Sequence, residues 1–243
     1  MEERIDNIGF GDLKLIQMPE EFCYGVDAVM LSDFAAKMCT QKGGAKAICD
    51  LGTGTGVVPF ILSYKTEAQR IYGIEVQKDS FDRAVRGAQL NGLEDRVKFI
   101  NMDVKDISDL GKDYLETFDM VTSNPPYTKA QGGILSSSDA KAIARHETTA
   151  TVEDFIEAAA KLLKDRGDFV LVHRPGRIAD ICCALRDNKL EPKEIQLVSP
   201  REGETPNIMM IHAVKNGGQF LKFLKPINVY DGEDYSEEIR KMY

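Results

Sequence analysis

The stretch Lys46-Ala-Ile-Cys-Asp50-Leu-Gly52-Thr-Gly54-Thr-Gly56 decides the fold. Its first half is a short apolar run of the kind that forms a buried strand, and glycines at every second position follow directly. The apolar residues around Phe60 then predict a helix. Strand, glycine turn and helix in this order are typical of the first unit of a βαβ fold that binds a ligand at the turn.

The same alternation continues along the chain. The pattern predicts strands and helices in turn, with Thr151 as the N-cap of the helix after the fourth strand; the strands are Arg70–Glu75, Arg96–Ile100, Phe118–Thr122 and Gly167–His173, and the helices Asp79–Leu90, Val152–Leu163 and Arg177–Asn188. The segment between Ile195–Val198 and Ile208–Val214 has no helical period, which favours an antiparallel pair. We therefore predict a Rossmann-like α/β fold: a mostly parallel sheet with an antiparallel closing strand and helices on both faces.

Three segments are predicted along the chain. Residues 1–45 form an N-terminal extension, with a hairpin at Ile8–Ile16 and a helix at Asp27–Lys37 that pack on the core. Residues 46–230 form the main domain, closed by a last strand or edge cover that carries Phe220, Phe223 and Tyr230. Residues 231–243 form a C-terminal tail.

Composition narrows the class of protein. The chain has 243 residues, 43% of them hydrophobic, which supports one sizeable core and excludes disordered and fibrous classes. Its 31 basic and 39 acidic residues give a net charge of −8, which argues against a wholesale basic coat for nucleic acid but allows a local basic patch. No apolar stretch is long enough for a signal region or a membrane span, so we expect a cytoplasmic protein without a membrane partner.

The cysteines predict neither disulfides nor a metal. Their number is odd, no C-x-x-C pair occurs and most lie in apolar runs, so we expect buried thiols in a reducing compartment; they are Cys23, Cys39, Cys49, Cys182 and Cys183. Ligand spacings for zinc are absent, and we predict no metal site.

Three acidic residues follow three successive strands. Asp50, Glu75 and Asp103 would meet in one crevice, because the carboxyl ends of parallel strands share an edge of the sheet. Asp50 places a carboxylate where a diphosphate would bind, so a cationic ligand fits the G-x-G-x-G turn better than a dinucleotide. Glu75 can accept from both ribose hydroxyls of a nucleoside and Asp103 from an exocyclic amine such as that of adenine. Each could instead be a helix cap or a solvated loop residue.

The tetrad Asn124-Pro125-Pro126-Tyr127 follows the next strand at the same edge. Its two prolines stiffen the turn. The amide oxygen of Asn124 and the Pro125 carbonyl can then accept the two protons of one amino group, while Tyr127 offers a ring for stacking. Such a turn orients an amine for attack on a methyl donor.

Together these motifs resemble a class I S-adenosylmethionine-dependent methyltransferase that acts on an amino nitrogen, over about residues 46–214. With the Phe22–Leu31 segment and Ala144-Arg145-His146-Glu147, the chain is similar to the bacterial tRNA(Val) adenine N6-methyltransferase family, which modifies the adenine just 3′ of the anticodon. The resemblance implies S-adenosylmethionine as cofactor, a tRNA partner and catalysis by the tetrad. The cofactor residues that it implies are Tyr24, Asp50, Gly52, Thr53, Gly54, Gly56, Glu75, Asp103 and Val104.

Other functions remain open on these residues. The tetrad also occurs in glutamine N5-methyltransferases of release factors and, in close variants, in guanine N2-methyltransferases; the absence of a long N-terminal helical domain favours a nucleic-acid target over a protein, with rRNA as an alternative to tRNA. An NAD-dependent oxidoreductase shares the βαβ core, although the glycine spacing and the tetrad disfavour it. A non-catalytic RNA-binding module is disfavoured by the intact tetrad.

The cations after the tetrad are the candidate RNA contacts. Lys129, Lys141 and Arg145 lie in a Gly- and Ser-rich loop, Thr128–Arg145, which we expect to order on RNA. Arg174, Arg177, Arg201, Lys222 and Lys225 could extend a phosphate track, but each alone predicts an ordinary solvated charge. His146 is interpreted as structural or RNA-contacting, and His173 and His212 as core histidines.

Overall fold

The computed structural model describes residues 2–19, 24–127 and 150–243. The helices are α1 (Val26–Gln41), α2 (Val57–Lys65), α3 (Lys78–Leu90), α4 (Val152–Leu162), α5 (Ile178–Asp187) and α6 (Glu237–Arg240). The strands are β1 (Arg4–Asn7), β2 (Lys14–Gln17), β3 (Ala47–Leu51), β4 (Arg70–Glu75), β5 (Val97–Asn101), β6 (Phe118–Ser123), β7 (Leu163–His173), β8 (Leu190–Ser199), β9 (Ile208–Lys215), β10 (Lys222–Phe223), β11 (Ile227–Asn228), β12 (Tyr230–Asp231) and β13 (Asp234–Tyr235).

In the described ranges the main sheet has nine strands, in the order β10-β8-β9-β7-β6-β3-β4-β5, with β11 also paired to β8. Strands β3 to β7 are mutually parallel where they pair, and β9 is antiparallel to both β7 and β8. The predicted mixed Rossmann-like sheet with an antiparallel closing strand is confirmed. Because β3 lies between β4 and β6, the chain reverses its direction across the sheet at β3, and such a switch point opens a crevice for ligands.

Helices cover both faces of the sheet, as predicted, because alternate strand residues point to opposite faces. Ile48 of β3 belongs to a cluster with buried residues of α1, α2 and α3, whereas the next residue, Cys49, belongs to a cluster with α4 and α5. Thr151 caps α4 as predicted: its hydroxyl accepts from the N–H of Asp154, and the Asp154 carboxylate accepts from the N–H of Thr151.

The N-terminal hairpin spans Arg4–Gln17, so its first strand ends just before the predicted start at Ile8. Ile8 and Phe10 fall in its connecting loop and are almost completely buried against the core, at 1% and 0% exposure. Gly9 and Gly11, with φ of +83° and +56°, make the tight loop that turns these two side chains inward. Burial of the two apolar residues, rather than strand pairing, therefore sets the position of the turn.

The prediction of buried thiols is right for Cys39 and Cys49 and wrong for Cys182 and Cys183, while Cys23 lies outside the described residues. In α5 the buried positions are Ile181 and Leu185, one helical turn apart. Of the two residues that follow Ile181, Cys182 is half-buried against the core and Cys183 is exposed.

The end of the chain packs against its beginning. Residues 231–243 form α6 and part of the β12–β13 hairpin, and Ile239 and Met242 are buried in the same cluster as Phe10. The ring of Tyr243 stacks on Phe10 with centroids 5.5 Å apart. The segment predicted as a tail thus contributes to the core.

Neither a metal site nor a membrane span is found in the described ranges. No group of three or more His, Cys, Asp or Glu side chains there could hold a metal ion. None of the helices there combines the length and the apolar character needed to cross a bilayer.

Candidate active site

A cleft of about 440 Å³ opens at the carboxyl ends of the central strands. Pockets for small molecules and cofactors have volumes of roughly 300–1,000 Å³. The cleft brings together every predicted site residue in the described ranges except Gly56: it is lined by Tyr24, Asp50, Gly52, Thr53, Gly54, Glu75, Asp103, Val104, Asn124, Pro125, Pro126 and Tyr127.

Asp50 is buried at the end of β3, with 2% of its surface exposed. The Thr122 hydroxyl, on the neighbouring strand β6, donates a hydrogen bond to its Oδ1 at 2.7 Å. Burial raises the pKa of Asp50 to about 7, although this hydrogen bond lowers it, and the charge of Glu75 raises it further. A positively charged ligand beside this carboxyl would favour its ionised form.

Glu75 ends β4 and is held by two backbone groups. Its Oε2 accepts from the N–H of Gly54 and its Oε1 from the N–H of Gln77, each at 2.8 Å. Burial nevertheless raises the pKa of Glu75 above its usual value. Each oxygen accepts one hydrogen bond here, so lone pairs remain for the hydroxyls of a ligand.

Two glycines of the turn have different surroundings: Gly54 faces the cleft and Gly56 faces the core. Gly54 lines the cleft, and an added Cβ there would meet nothing within 4 Å. At Gly56 an added Cβ would lie 2.7 Å from the Phe99 ring, and φ is +90°. Gly56, predicted as a cofactor residue, does not line the cleft; it allows Phe99 to pack closely under the turn.

Asp103 is a helix cap that also lines the cleft. It caps the short 3₁₀ helix Val104–Leu110, since its Oδ1 accepts from the N–H of Lys105 at 3.0 Å, and it also lines the cleft. The buried Val104 follows it along the same wall. The contact of Asp103 with an adenine amine stays a prediction.

Tyr24 closes the cleft from the N-terminal side. Its backbone N–H donates to Gln17 Oε1 at 3.1 Å, which ties the start of α1 to β2. The ring packs against the α1 side of the core and also lines the cleft. Burial, above all, raises the pKa of its hydroxyl, which therefore stays protonated.

The tetrad is tied to α1 through a residue that the sequence analysis did not select. The Tyr127 hydroxyl lies 3.1 Å from Asp27 Oδ2 and 3.2 Å from Asn124 Oδ1, and it donates toward both. Asp27 stands in the first turn of α1. This bridge fixes the amide oxygen of Asn124, the atom that is predicted to grip an amine.

Two residues at the end of β7 contact the Tyr127 ring. The Arg174 guanidinium carbon lies 4.7 Å from the ring centroid, and the His173 ring meets Tyr127 edge to face at 5.2 Å. Burial, above all, lowers the pKa of His173 to about 4, so this histidine is neutral near pH 7. The prediction of His173 as a core histidine is confirmed by its burial. The sequence did not predict its contact with the tetrad. His212, with Nε2 at 2.6 Å from Asp168 Oδ1, is a core histidine as predicted.

Of the possible RNA contacts, Arg174 lines the cleft. Lys129, Lys141, Arg145 and His146, and the whole Thr128–Arg145 loop, lie outside the described residues, as do Phe22 and Cys23.

Sequence reasoning missed Asp27 and Thr122, and it named Arg174 only as a possible phosphate contact, not as a neighbour of the tetrad. For Asp27 the available signal was an acid at the start of an apolar helix, which is also an ordinary helix-start residue. For Arg174 it was a cation directly after a buried strand. For Thr122 the sequence contains no signal, because its hydroxyl contacts Asp50 only through the pairing of β3 with β6.

Comparison with known proteins identifies the family. A family model described as a methyltransferase domain matches residues 42–200. The chain belongs to the methyltransferase domain family. The family and the fold confirm the predicted class I methyltransferase with S-adenosylmethionine as its cofactor. The alternative of an NAD-dependent oxidoreductase is therefore wrong.

Relatives are found in bacteria. A protein of Porphyromonas gingivalis named tRNA1(Val) (adenine(37)-N6)-methyltransferase is 29% identical over 65% of this chain, and the match spans about 60% of that relative's length. A protein of Bacteroides thetaiotaomicron with the same name is 28% identical over 90% of this chain and 89% of its own. Among solved structures, a predicted O-methyltransferase from Agrobacterium tumefaciens superposes with a TM-score of 0.70 at 21% identity, over 89% of this chain and 94% of that one.

Proposed function

We propose that this methyltransferase transfers the methyl group of S-adenosylmethionine to the exocyclic N6 amine of an adenine in tRNA, beside the anticodon. The observation that carries the proposal is the tetrad, whose Asn124 oxygen is fixed by Tyr127 in the same cleft as the acids Asp50 and Glu75. The names of the relatives support tRNA and adenine as substrate and target.

The acids suit the cofactor. S-adenosylmethionine supplies an activated methyl group on a positively charged sulfur. Asp50, with a pKa raised to about 7, provides a carboxylate that a neighbouring positive charge would keep ionised. Glu75, held by the N–H groups of Gly54 and Gln77, is placed to accept from ribose hydroxyls, and Asp103 from the adenine amine.

The tetrad suits the acceptor. In the proposed reaction the Asn124 amide oxygen and the Pro125 carbonyl accept the two amino protons and turn the nitrogen toward the methyl carbon. A carbon–nitrogen bond then forms as the carbon–sulfur bond breaks, with its electron pair left on sulfur, and the nitrogen loses one proton to solvent. Orientation of this kind is worth up to roughly 7–11 kcal/mol of the barrier. The Asp27–Tyr127 bridge supports the proposal because it keeps Asn124 in one position.

A pair of transcripts tests the target. The first is an unmodified tRNA1(Val) transcript, and the second differs only by guanine in place of the adenine at position 37, which the names of the relatives specify. With labelled S-adenosylmethionine we expect label in the first transcript and none in the second. Equal label in both would contradict the position, and no label in either would contradict tRNA1(Val) as the substrate.

A further inference from the structure

Apart from Asp27 at the start of α1, the charged residues of the cleft are divided along the sheet. Asp50, Glu75 and Asp103 stand at the ends of β3, β4 and β5, whereas Arg174 follows β7, next to the strand that carries the tetrad. Among the described residues that line the cleft, Arg174 is the only Lys or Arg. With neighbouring strands about 4.8 Å apart, its backbone lies about 10 Å across the sheet from Asp50 and about 19 Å from Asp103.

Arg174 is held in place without a carboxylate partner in the described ranges. Its Nη1 donates to the backbone oxygen of Asn207 at 3.0 Å, and its guanidinium lies over the Tyr127 ring. By contrast Arg177, one turn further on, pairs with Glu153 at 2.8 Å and with Asp180 at 2.7 Å. Asp27, which accepts from the Tyr127 hydroxyl, is the acid that lines this side of the cleft. Among the described residues, Arg174 therefore presents to the substrate half of the cleft a positioned guanidinium that pairs with no carboxylate.

We propose that Arg174 forms a phosphodiester-binding subsite, which takes a backbone phosphate of the target nucleotide when its base lies against the tetrad. The inference rests on the proposed function, since it assumes a nucleic-acid substrate. A base must leave its stack to bring its amine to Asn124, and its own phosphate then arrives near the Tyr127 ring. The guanidinium fork matches two phosphate oxygens, and one of its five N–H donors is used by Asn207.

This subsite would also offset the repulsion between an RNA substrate and an acidic protein. The RNA is a polyanion, whereas the protein has a net charge of −8 and a cleft with several carboxylates. A cation beside the tetrad attracts the phosphate to the side where the amine is needed and away from the acids that suit the cofactor.

The test compares four proteins by the salt dependence of binding to the unmodified tRNA1(Val) transcript: wild type, Arg174→Gln, Arg174→Lys and Arg186→Gln. Arg186 is exposed and paired with Glu191 near the start of β8, at the opposite edge of the sheet, so it is matched in charge but remote. We expect Arg174→Gln to bind at least about tenfold more weakly and to lower the slope of log K against log salt by about 0.7. Arg174→Lys should keep the wild-type slope, and Arg186→Gln should match wild type in both quantities.

Binding of S-adenosylhomocysteine, measured by calorimetry on the same proteins, separates the alternatives. We expect equal affinity in all four, which would show that the cleft is intact. An unchanged affinity and slope for tRNA in Arg174→Gln would overturn the phosphate subsite, and so would a loss of S-adenosylhomocysteine affinity in that variant, because Arg174 would then serve the cofactor carboxylate. Failure of the wild type to bind the transcript would overturn the proposed function together with the subsite, whereas the first two results leave the proposed function standing.

Discussion

At the residue scale, the chemistry of the cleft depends on how two polar side chains are held. Asn124 is fixed by the Tyr127 hydroxyl, and Asp50 is buried beside Thr122. The first contact orients the neutral amide of Asn124. The second lies beside a buried carboxyl, that of Asp50, whose charge changes near pH 7. The two sites can therefore be tested separately, one by turnover and the other by cofactor binding.

Replacing Asn124 should strongly lower turnover and leave cofactor binding nearly unchanged. We expect Asn124→Ala to lower kcat by on the order of 10²-fold or more, because the amine loses one of its two acceptors and its orientation. Affinity for S-adenosylhomocysteine should stay within about twofold of wild type, since Asn124 addresses the acceptor. Asn188→Ala, the same change at the distant C-cap of α5, is the control. Near-normal turnover of Asn124→Ala would remove the role assigned to the tetrad.

Cofactor binding should depend on pH through Asp50. Burial raises its pKa to about 7, so the free protein holds a proton there at lower pH and is ionised at higher pH. A cationic ligand favours the ionised form, so affinity for S-adenosylmethionine should fall as the pH drops below about 7 and level off above it. Calorimetry from pH 5.5 to pH 8.5 measures this, over roughly the range in which the carboxyl titrates.

Asp50→Asn isolates this contribution. The amide carries no charge at any pH, so the variant should bind S-adenosylmethionine weakly throughout and lose the pH dependence near 7. Asp180→Asn, at an exposed position on α5, should keep the wild-type profile. An identical pH profile in Asp50→Asn would show that another group controls binding.

The sequence identified these residues by their place after strands but could not find their supports. Asp50, Glu75 and Asn124 each follow an apolar run, which is a local signal. Asp27 reaches the tetrad across 100 positions of the chain, and Arg174 contacts Tyr127 only because β7 pairs with β6. Such contacts depend on the order of strands in the sheet, which no local pattern contains.

At the element scale, the glycine turn joins β3 to α2 and separates two functions within five residues. Gly54 faces the cleft and Gly56 faces the core. The G-x-G-x-G pattern predicts a close approach of the backbone, but it does not tell which glycine a ligand needs and which one a neighbouring side chain needs.

Alanine substitutions should separate the two glycines. Gly56→Ala would place a Cβ 2.7 Å from the Phe99 ring, so we expect a loss of unfolding free energy of about 1–3 kcal/mol. Gly54→Ala has open space for its Cβ, so backbone strain at its positive φ should lower the unfolding free energy by only about 1 kcal/mol, while S-adenosylhomocysteine binding in the cleft weakens. Denaturant titration and calorimetry measure the two effects. A more stable Gly56→Ala than Gly54→Ala protein would contradict this assignment.

The elements that the sequence predicted well carry their own signals. Helix α4 begins at a Thr151–Asp154 capping box, and β3 to β7 lie within a few residues of the predicted positions. The first strand of the N-terminal hairpin was predicted too late in the chain, because Ile8 and Phe10 look like strand residues in the sequence. In the structure they lie in the connecting loop and are buried by tertiary packing.

At the scale of the whole molecule, the two ends of the chain close one cluster of the core. Ile239 of α6 is completely buried in the cluster that contains Phe10 and the inner residues of α1. The charged run before α6 favours a solvated tail, so the sequence did not predict this packing. The contact is non-local and becomes visible only in the folded chain.

Truncating Ile239 tests whether this closure stabilises the fold. We expect Ile239→Ala to lower the free energy of unfolding by about 2–5 kcal/mol, through lost burial and the cavity left behind. Leu221→Ala, at an exposed position just before β10, should change it by less than about 0.5 kcal/mol. Turnover per folded molecule should be unchanged, because α6 lies outside the cleft. Equal stability of Ile239→Ala and wild type would show that the terminus contributes nothing.

The central claim is methylation of an adenine amine, and the product of the reaction tests it most directly. Methyl transfer from labelled S-adenosylmethionine into total tRNA that lacks this modification, followed by digestion to nucleosides, gives the labelled product. The account predicts N6-methyladenosine as the labelled nucleoside. Label in N2-methylguanosine would contradict it, and so would unlabelled tRNA beside label in parallel incubations with rRNA or with protein.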